Sequence, residues 1–137
     1  MTRHDDSPPS FPHERLDVYQ VLLQATEAVS RWSGFSLSRG SIGDQLIRAL
    51  STALLRYTEG YYAQGAIQTA QWNAARASCG EAASAVLVLL IQRRIDHDHA
   101  QDVRELLARA MSMLAKLVRR GRDSAGATPE AESETTP

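Results

Sequence analysis

Apolar residues recur along most of this chain at intervals of three and four residues, the spacing that lines one face of an α-helix. Four such stretches follow one another, and none shows the two-residue alternation of a strand. The pattern predicts an all-α fold. Four helices of roughly 20 to 28 residues with short connections are the ingredients of an antiparallel up-down four-helix bundle.

The first predicted helix opens near Ser10, tolerates Pro12 in its first turn and stops at Gly34. It carries two parallel apolar stripes, which is more apolar surface than one neighbouring helix covers. The two stripes are Leu16, Tyr19, Leu23 and Thr26, and Val18, Leu22, Ala25, Val29 and Trp32.

The second predicted helix begins at Ser41, whose hydroxyl has capping-box spacing to Asp44 three residues on. It runs to Glu59 and Gly60, where a helical glycine costs about 1 kcal/mol relative to alanine. We therefore expect a break, a kink or close packing at Gly60. The apolar positions of this helix are Ile42, Leu46, Ala49, Leu50, Ala53 and Tyr57.

The third predicted helix begins at Gly65 or Ala66 and runs to about Arg93. Its second half, residues 86–91, is apolar on every side, which predicts burial all round. Asp96 to Gln101 offers the start of the fourth helix. That helix has a heptad-like apolar seam made of Val103, Leu107, Ala110, Leu114 and Leu117.

Length and composition predict one domain, because the chain has 137 residues and 43% hydrophobic residues. We expect the bundle at residues 13–121, between a disordered arm at 1–12 and a disordered acidic tail at 122–137. The run 82–91 is about half of the roughly 20 residues that span a bilayer, so it predicts a core helix rather than a membrane anchor. A lone cysteine and the lack of a leader pattern favour the cytoplasm.

Surplus apolar surface on the first and third helices predicts a homo-oligomer. A monomer with scattered apolar surface residues is the alternative.

Charge is distributed unevenly along the chain. The net charge is −1, yet residues 14–122 hold 14 basic and 10 acidic residues, and Lys116 is the single lysine. Arginine suits phosphate recognition, although a compositional bias towards arginine explains the same excess. For residues 119–122, interaction with the helix dipole is an alternative role. The candidates for a nucleic-acid surface are Arg56, Arg93, Arg94, Arg109, Lys116, Arg119, Arg120 and Arg122.

A set of spaced positions carries a family resemblance. Its elements are Leu16 to Tyr19; Gln45, Leu46, Arg48, Ala49 and Thr52; Glu59 and Gly60; and Trp72, Ala75, Ala77, Ser78 and Glu81. In this order and spacing the chain resembles the four-helix-bundle proteins encoded in intervening sequences of bacterial 23S ribosomal RNA genes, which are related to accessory proteins of diversity-generating retroelements. Arg56 stands where the family has asparagine, and Ala77 where it has glycine.

The resemblance implies a homopentameric ring of bundles. It also implies binding of RNA or DNA, with a reverse transcriptase as a further partner. The retroelement relatives are strongly basic, whereas this chain is not. An oligomeric scaffold for a protein partner, without nucleic-acid binding, is therefore the alternative function.

The polar residues within the family pattern are interpreted as structural. Arg48 and Glu59 lie 11 positions apart, about 16 Å along one helix, and cannot pair with each other. We expect Arg48 to meet Glu81, or Glu59 to meet Arg76, between helices, with Ser78 beside them. Such buried pairs add little stability but can fix the register of the helices.

No residue set predicts catalysis, a metal or a cofactor. Residues 96–99 alternate Asp and His, but adjacent side chains point in different directions and acidic residues are usual where a helix starts. Cys79 is predicted to be packed and inert, with no base beside it. The sequence therefore favours a protein that is not an enzyme.

Overall fold

The computed structural model describes residues 11–32 and 38–126, with side chains described as far as residue 123. A short 3-10 turn, Pro12–Arg15, precedes four α-helices. They are α1 Asp17–Ser30, α2 Ile42–Tyr61, α3 Gly65–Ile91 and α4 His97–Gly126. No strand occurs within these described ranges, so the all-α class is confirmed.

The helices form a four-helix bundle in which each packs against two others. Helix α1 packs against α2 and α4, and α3 packs against α2 and α4. One core lies between them. Fully buried leucines from all four helices meet there: Leu22, Leu46, Leu50, Leu89, Leu107 and Leu114.

Helix α1 starts later than the sequence predicts. Leu16 has an extended backbone (φ −85°, ψ 151°), which separates the 3-10 turn from α1. Of its two predicted stripes, Val18, Leu22, Ala25 and Val29 are buried, whereas the stripe from Leu16 to Thr26 is half-buried or exposed at its edge. Helix α1 ends at Ser30, and the predicted stop at Gly34 lies outside the described residues.

The predicted cap of α2 forms with one change of partner. Ser41 Oγ accepts a hydrogen bond from the Asp44 backbone N–H at 3.1 Å. The Asp44 carboxylate in turn accepts from the Gly40 N–H at 3.0 Å, rather than from Ser41. This bond, followed by the one from Arg48, holds the pKa of Asp44 below its ordinary value despite the opposing effect of desolvation.

The apolar end of α3 is not buried all round as predicted. Val86 and Leu89 are buried, but Leu87 is 42% exposed and Ile91 is 69% exposed. By length and composition alone, α3 is also long and apolar enough to cross a membrane. Its packing between α2 and α4 places part of this apolar surface, including Val86 and Leu89, in the core.

Helix α4 extends further than the predicted end of the bundle at residue 121. It continues to Gly126, into the segment expected to be a disordered tail. Four of its five predicted seam residues are buried, and Val118 takes the last core position while Leu117 is half-buried. Residues 127–137 of the predicted tail, and residues 1–10 of the predicted arm, lie outside the described residues.

Candidate functional site

Two charged residues of the family pattern, Arg48 and Glu59, pair with neighbours on their own helix, α2. Arg48 Nε lies 3.2 Å from Asp44, one turn away, and its side chain is 65% exposed. Glu59 lies 3.4 Å from Arg56, also one turn away. Exposed charges at this spacing find each other without a second helix.

The predicted pairs of Arg48 with Glu81 and of Glu59 with Arg76 are therefore wrong. Glu81 is exposed to solvent. Arg76 donates through Nη1 to Asn73 at 3.2 Å, and its buried Nε has no hydrogen-bond partner among the described residues. Of the five residues that we expected to make polar contacts between helices, only Ser78 is buried; the others are Arg48, Glu59, Arg76 and Glu81. The register of the helices is not fixed by buried ion pairs in the part of the chain that the structure describes.

Close packing explains the glycine of the Glu59-Gly60 pair. A Cβ on Gly60 would lie 2.5 Å from Cδ1 and Nε1 of Trp72 on α3. The indole Nε1 of Trp72 donates to the Tyr57 carbonyl at 3.2 Å, and Gln68 donates to the Gly60 carbonyl at 2.9 Å. Two elements of the family pattern thus form the contact between α2 and α3.

The basic candidates are spread over several parts of the bundle. Arg56 contacts Glu59 and donates to Gln71 at 3.1 Å. Arg109 lines a cavity with the acidic residues Glu27, Asp102 and Glu105. Arg56 is therefore engaged by its neighbours, and three nearby carboxylates lower the positive potential around Arg109, which makes both arginines weaker candidates for phosphate contacts.

The remaining α4 candidates form what we call the α4 basic segment. It consists of Lys116, Arg119, Arg120 and Arg122, all exposed, with no acidic residue between Glu105 and Asp123. Because α4 continues to Gly126, its last turn contains no basic residue. The helix dipole acts mainly within the last turn, so it explains these four cations poorly.

Arg76 lies opposite this part of α4. Gly80 faces Met111, and Gly121 packs near Thr69, so the stretch of α3 that contains Arg76 faces α4 between residues 111 and 121. Arg76 has no carboxylate partner among the described residues. Its charge therefore adds to the positive potential on this side of the bundle.

A second group of arginines lines an open cavity of about 840 Å³ at the ends of α1 and α3 and the start of α4. We call it the three-helix cavity; its lining residues are Arg31, Trp32, Leu90, Ile91, Arg93, Arg94, Ile95, Asp96, His97 and His99. Arg93 has a left-handed backbone with φ +61°. This conformation is disfavoured by about 1–2 kcal/mol for residues other than glycine.

The Asp-His repeat at residues 96–99 starts α4. Asp96 Oδ1 accepts from the His99 backbone N–H at 2.8 Å and lies 2.6 Å from His99 Nδ1. These bonds hold the Asp96 pKa below its ordinary value. Among the described residues, no group of three or more His, Cys, Asp or Glu side chains is arranged to hold a metal ion.

Cys79 is fully buried, and burial raises its pKa to about 12. A thiol with this pKa has almost no thiolate at neutral pH, so it is a poor nucleophile.

An aromatic cluster around His13 was missed by the sequence reasoning. His13 is buried, its Nδ1 lies 3.0 Å from the Tyr62 hydroxyl, and its ring contacts Tyr19, Tyr61 and Phe11. This cluster fastens the 3-10 turn to the end of α2. The density of aromatic residues near 11–19 and 57–62 was the available signal.

The three-helix cavity was also missed as a unit, because Arg31 and Trp32 are distant in sequence from Arg93 and Arg94. Only the folded chain brings the ends of α1 and α3 together.

No protein-family model and no curated protein matches this chain. Among solved structures, it is similar to a protein of unknown function from the S23 ribosomal protein family of Bacteroides thetaiotaomicron, with a TM-score of 0.67 and 14% identity. The match covers 74% of this chain and 95% of the other. The chain has the fold of that protein. At this identity the likeness concerns the four-helix architecture.

Proposed function

We propose that this chain is a non-enzymatic, homo-oligomeric bundle that binds RNA or DNA through the α4 basic segment. The observation that carries the proposal is the run of four exposed cations on α4, placed before its last turn and free of intervening acidic residues. Cations on one helix segment can neutralise neighbouring phosphates and release their counterions. Arg76 on α3 supports the same positive side of the bundle.

The proposed arrangement of the helices is antiparallel and up-down. Contacts between α2 and α3 pair Tyr57 with Trp72 and Gly60 with Gln68, so residue numbers rise on one helix as they fall on the other. Between α3 and α4, Gly80 meets Met111, and Arg104 donates to the Ala83 carbonyl at 2.8 Å. These contacts support the opposite direction of neighbouring helices.

Self-association is proposed through the outward face of α3. Apart from Glu81, the residues at heptad spacing on this face are small or apolar, and Ile67 at its start is 67% exposed. The positions are Ile67, Ala70, Ala74, Ala77, Ser84 and Val88, with Glu81 among them. Small residues at this spacing allow two helices to approach closely. A pentameric ring, as the family resemblance implies, is the form we expect.

Nucleic-acid binding is tested by fluorescence anisotropy with single-stranded RNA and DNA, titrated with salt from about 50 mM. The double variant Arg119→Gln with Arg120→Gln should weaken binding. It should also make the negative slope of log K against log salt shallower, by about one unit for each phosphate that is no longer neutralised. The matched control is Arg39→Gln with Arg48→Gln, which removes the same charge elsewhere. Absence of binding, or equal losses in both double variants, would contradict the proposed interface.

Self-association is tested by light scattering behind size exclusion. The wild-type chain should elute as an oligomer, and Ala77→Glu should dissociate it by placing a charge on the outward face of α3. A monomeric wild-type chain would refute this part of the proposal.

A scaffold for a protein partner is the second candidate, favoured by exposed Leu55 and Ile67 at 64% and 67%. An oligomer that binds neither RNA nor DNA would favour this function. A reverse transcriptase is the protein partner that the resemblance implies. A pull-down of this partner with the wild-type chain and with Leu55→Ser shows whether the exposed Leu55 contributes to the contact.

A further inference from the structure

The three-helix cavity has the lining of a site for an anion. Arg31 follows α1, while Arg93 and Arg94 follow α3, and all three side chains are exposed. None of the three makes an ion pair with another described residue. Asp96, the acidic residue in the lining, is already engaged with His99. Arg31 also lines the neighbouring cavity that contains Glu27, Asp102 and Glu105, but it makes no ion pair with them. Three guanidinium groups are therefore available to one ligand.

The backbone at Arg93 places a cation where glycine is the usual residue. The Arg93 N–H donates to the Leu90 carbonyl and the Arg94 N–H to the Leu89 carbonyl, both at 2.9 Å. These two bonds are the Schellman motif that ends a helix, and its left-handed position favours glycine. Residues held in disfavoured backbone conformations cluster at binding and active sites, so the conformation of Arg93 makes its side chain a candidate for ligand contact. Interaction with the dipole of α3 needs no cation at this particular position.

The rest of the lining suits an aromatic group attached to the anion. Leu90, Ile91 and Ile95 supply apolar surface. Trp32 is half-buried and meets the His99 ring edge-on, with ring centroids 5.9 Å apart. A volume of about 840 Å³ falls within the range of about 300–1,000 Å³ for small-molecule sites. Arginine forks match phosphate oxygens, and indole and apolar side chains match a base.

We propose that the three-helix cavity binds a phosphate monoester carried on a nucleoside. Two sources share this chemistry: a free nucleoside monophosphate and the 5′-phosphorylated end of a nucleic-acid strand. The site shares no residue with the α4 basic segment, so it does not depend on the function proposed above.

Calorimetric titration with adenosine monophosphate, adenosine and inorganic phosphate tests the site on the full chain. The monophosphate should bind more tightly than either fragment. Arg93→Gly and Arg94→Gln should each weaken it by about tenfold. Arg48→Gln, which removes an exposed arginine outside the cavity, should leave the affinity unchanged. Because glycine adopts the left-handed position without strain, Arg93→Gly should fold at least as well as the wild type.

The source of the phosphate is distinguished with an oligonucleotide that carries either a 5′-phosphate or a 5′-hydroxyl. The Arg119→Gln and Arg120→Gln double variant is used for this arm, so that backbone binding on α4 does not obscure the result. A preference for the 5′-phosphate that disappears in Arg93→Gly identifies a strand end. Binding of the free monophosphate alone identifies a nucleotide.

The proposal is overturned if neither adenosine monophosphate nor the 5′-phosphorylated oligonucleotide binds. It is equally overturned if adenosine binds as tightly as its monophosphate. It is also overturned if Arg93→Gly and Arg94→Gln bind as the wild type does.

Discussion

The indole of Trp72 lies so close to Gly60 that any side chain at Gly60 would collide with it. A Cβ there would be 2.5 Å from both Cδ1 and Nε1 of Trp72. The same indole donates to the Tyr57 carbonyl, so it cannot move away without losing a buried hydrogen bond. This contact joins α2 to α3.

Gly60→Ala should therefore destabilise the fold, although alanine is the better helix former. We expect a loss of about 1–3 kcal/mol from overpacking, measured by urea unfolding. Gly80→Ala is the matched control, because the nearest atom to its Cβ would be Met111 Cε at an ordinary 3.9 Å. That change should stabilise the chain by up to about 1 kcal/mol. Equal effects at both glycines would refute the explanation.

Ser41→Ala should lower stability by about 1 kcal/mol, because it removes the oxygen that caps the Asp44 N–H. Ser51→Ala is the comparison. Ser51 is exposed within α2 and bonds to the Ile47 carbonyl, which already has a helical role. Its removal should be neutral or slightly stabilising. Thermal unfolding of the two variants measures the difference, and a harmless Ser41→Ala would show that the cap contributes little.

Tyr62→Phe should loosen the 3-10 turn by removing the hydroxyl that meets His13 Nδ1. Removing a hydrogen bond of this kind reduces stability by about 0.5–1.5 kcal/mol. Hydrogen exchange at residues 13–16 should become faster in this variant. Tyr19→Phe is the control, because Tyr19 meets His13 through its ring. If both variants behave alike, the rings rather than the hydroxyl hold the turn.

Cys79 should remain unreactive towards thiol reagents at pH 8 until the chain unfolds. Burial raises its pKa from 9.0 to about 12, so the folded thiol stays protonated. Ellman's reagent measures the rate. Rapid labelling of the native chain would contradict the buried position.

Alkaline pH should destabilise the chain through Cys79 and Tyr57. Burial raises the pKa of Tyr57 from 10.0 to about 12. In the unfolded chain these groups ionise near pH 9 and 10, while in the folded chain they remain neutral to about pH 12. The stability they support is complete below pH 9 and is lost as the pH rises towards 12, at up to about 1.4 kcal/mol per pH unit for each group. Cys79→Ala should flatten the decline between pH 9 and 10, measured by urea unfolding.

The amino-acid pattern determined the four helices and most of the core. Helical spacing places Leu46, Ala49, Leu50 and Ala53 on one face whatever that face touches, and all four are buried. Local chemistry likewise determined the Ser41 cap, because the bond spans only three residues.

The sequence did not determine which side chains pair with each other. Arg48 and Glu59 found partners one turn away, because exposed charges gain little from crossing to another helix. The candidate site was also only partly predictable from the sequence. The run of cations on α4 is visible in the sequence, but its exposure and its distance from the helix end required the structure.

The sequence by itself thus determined which faces of four helices are apolar, because helical periodicity is a local property. Only the tertiary structure decided that Gly60 receives an indole and that Arg31 joins Arg93 and Arg94 around one cavity. These relationships depend on how the helices pack, and the spacing of residues along one helix does not determine the distances between helices.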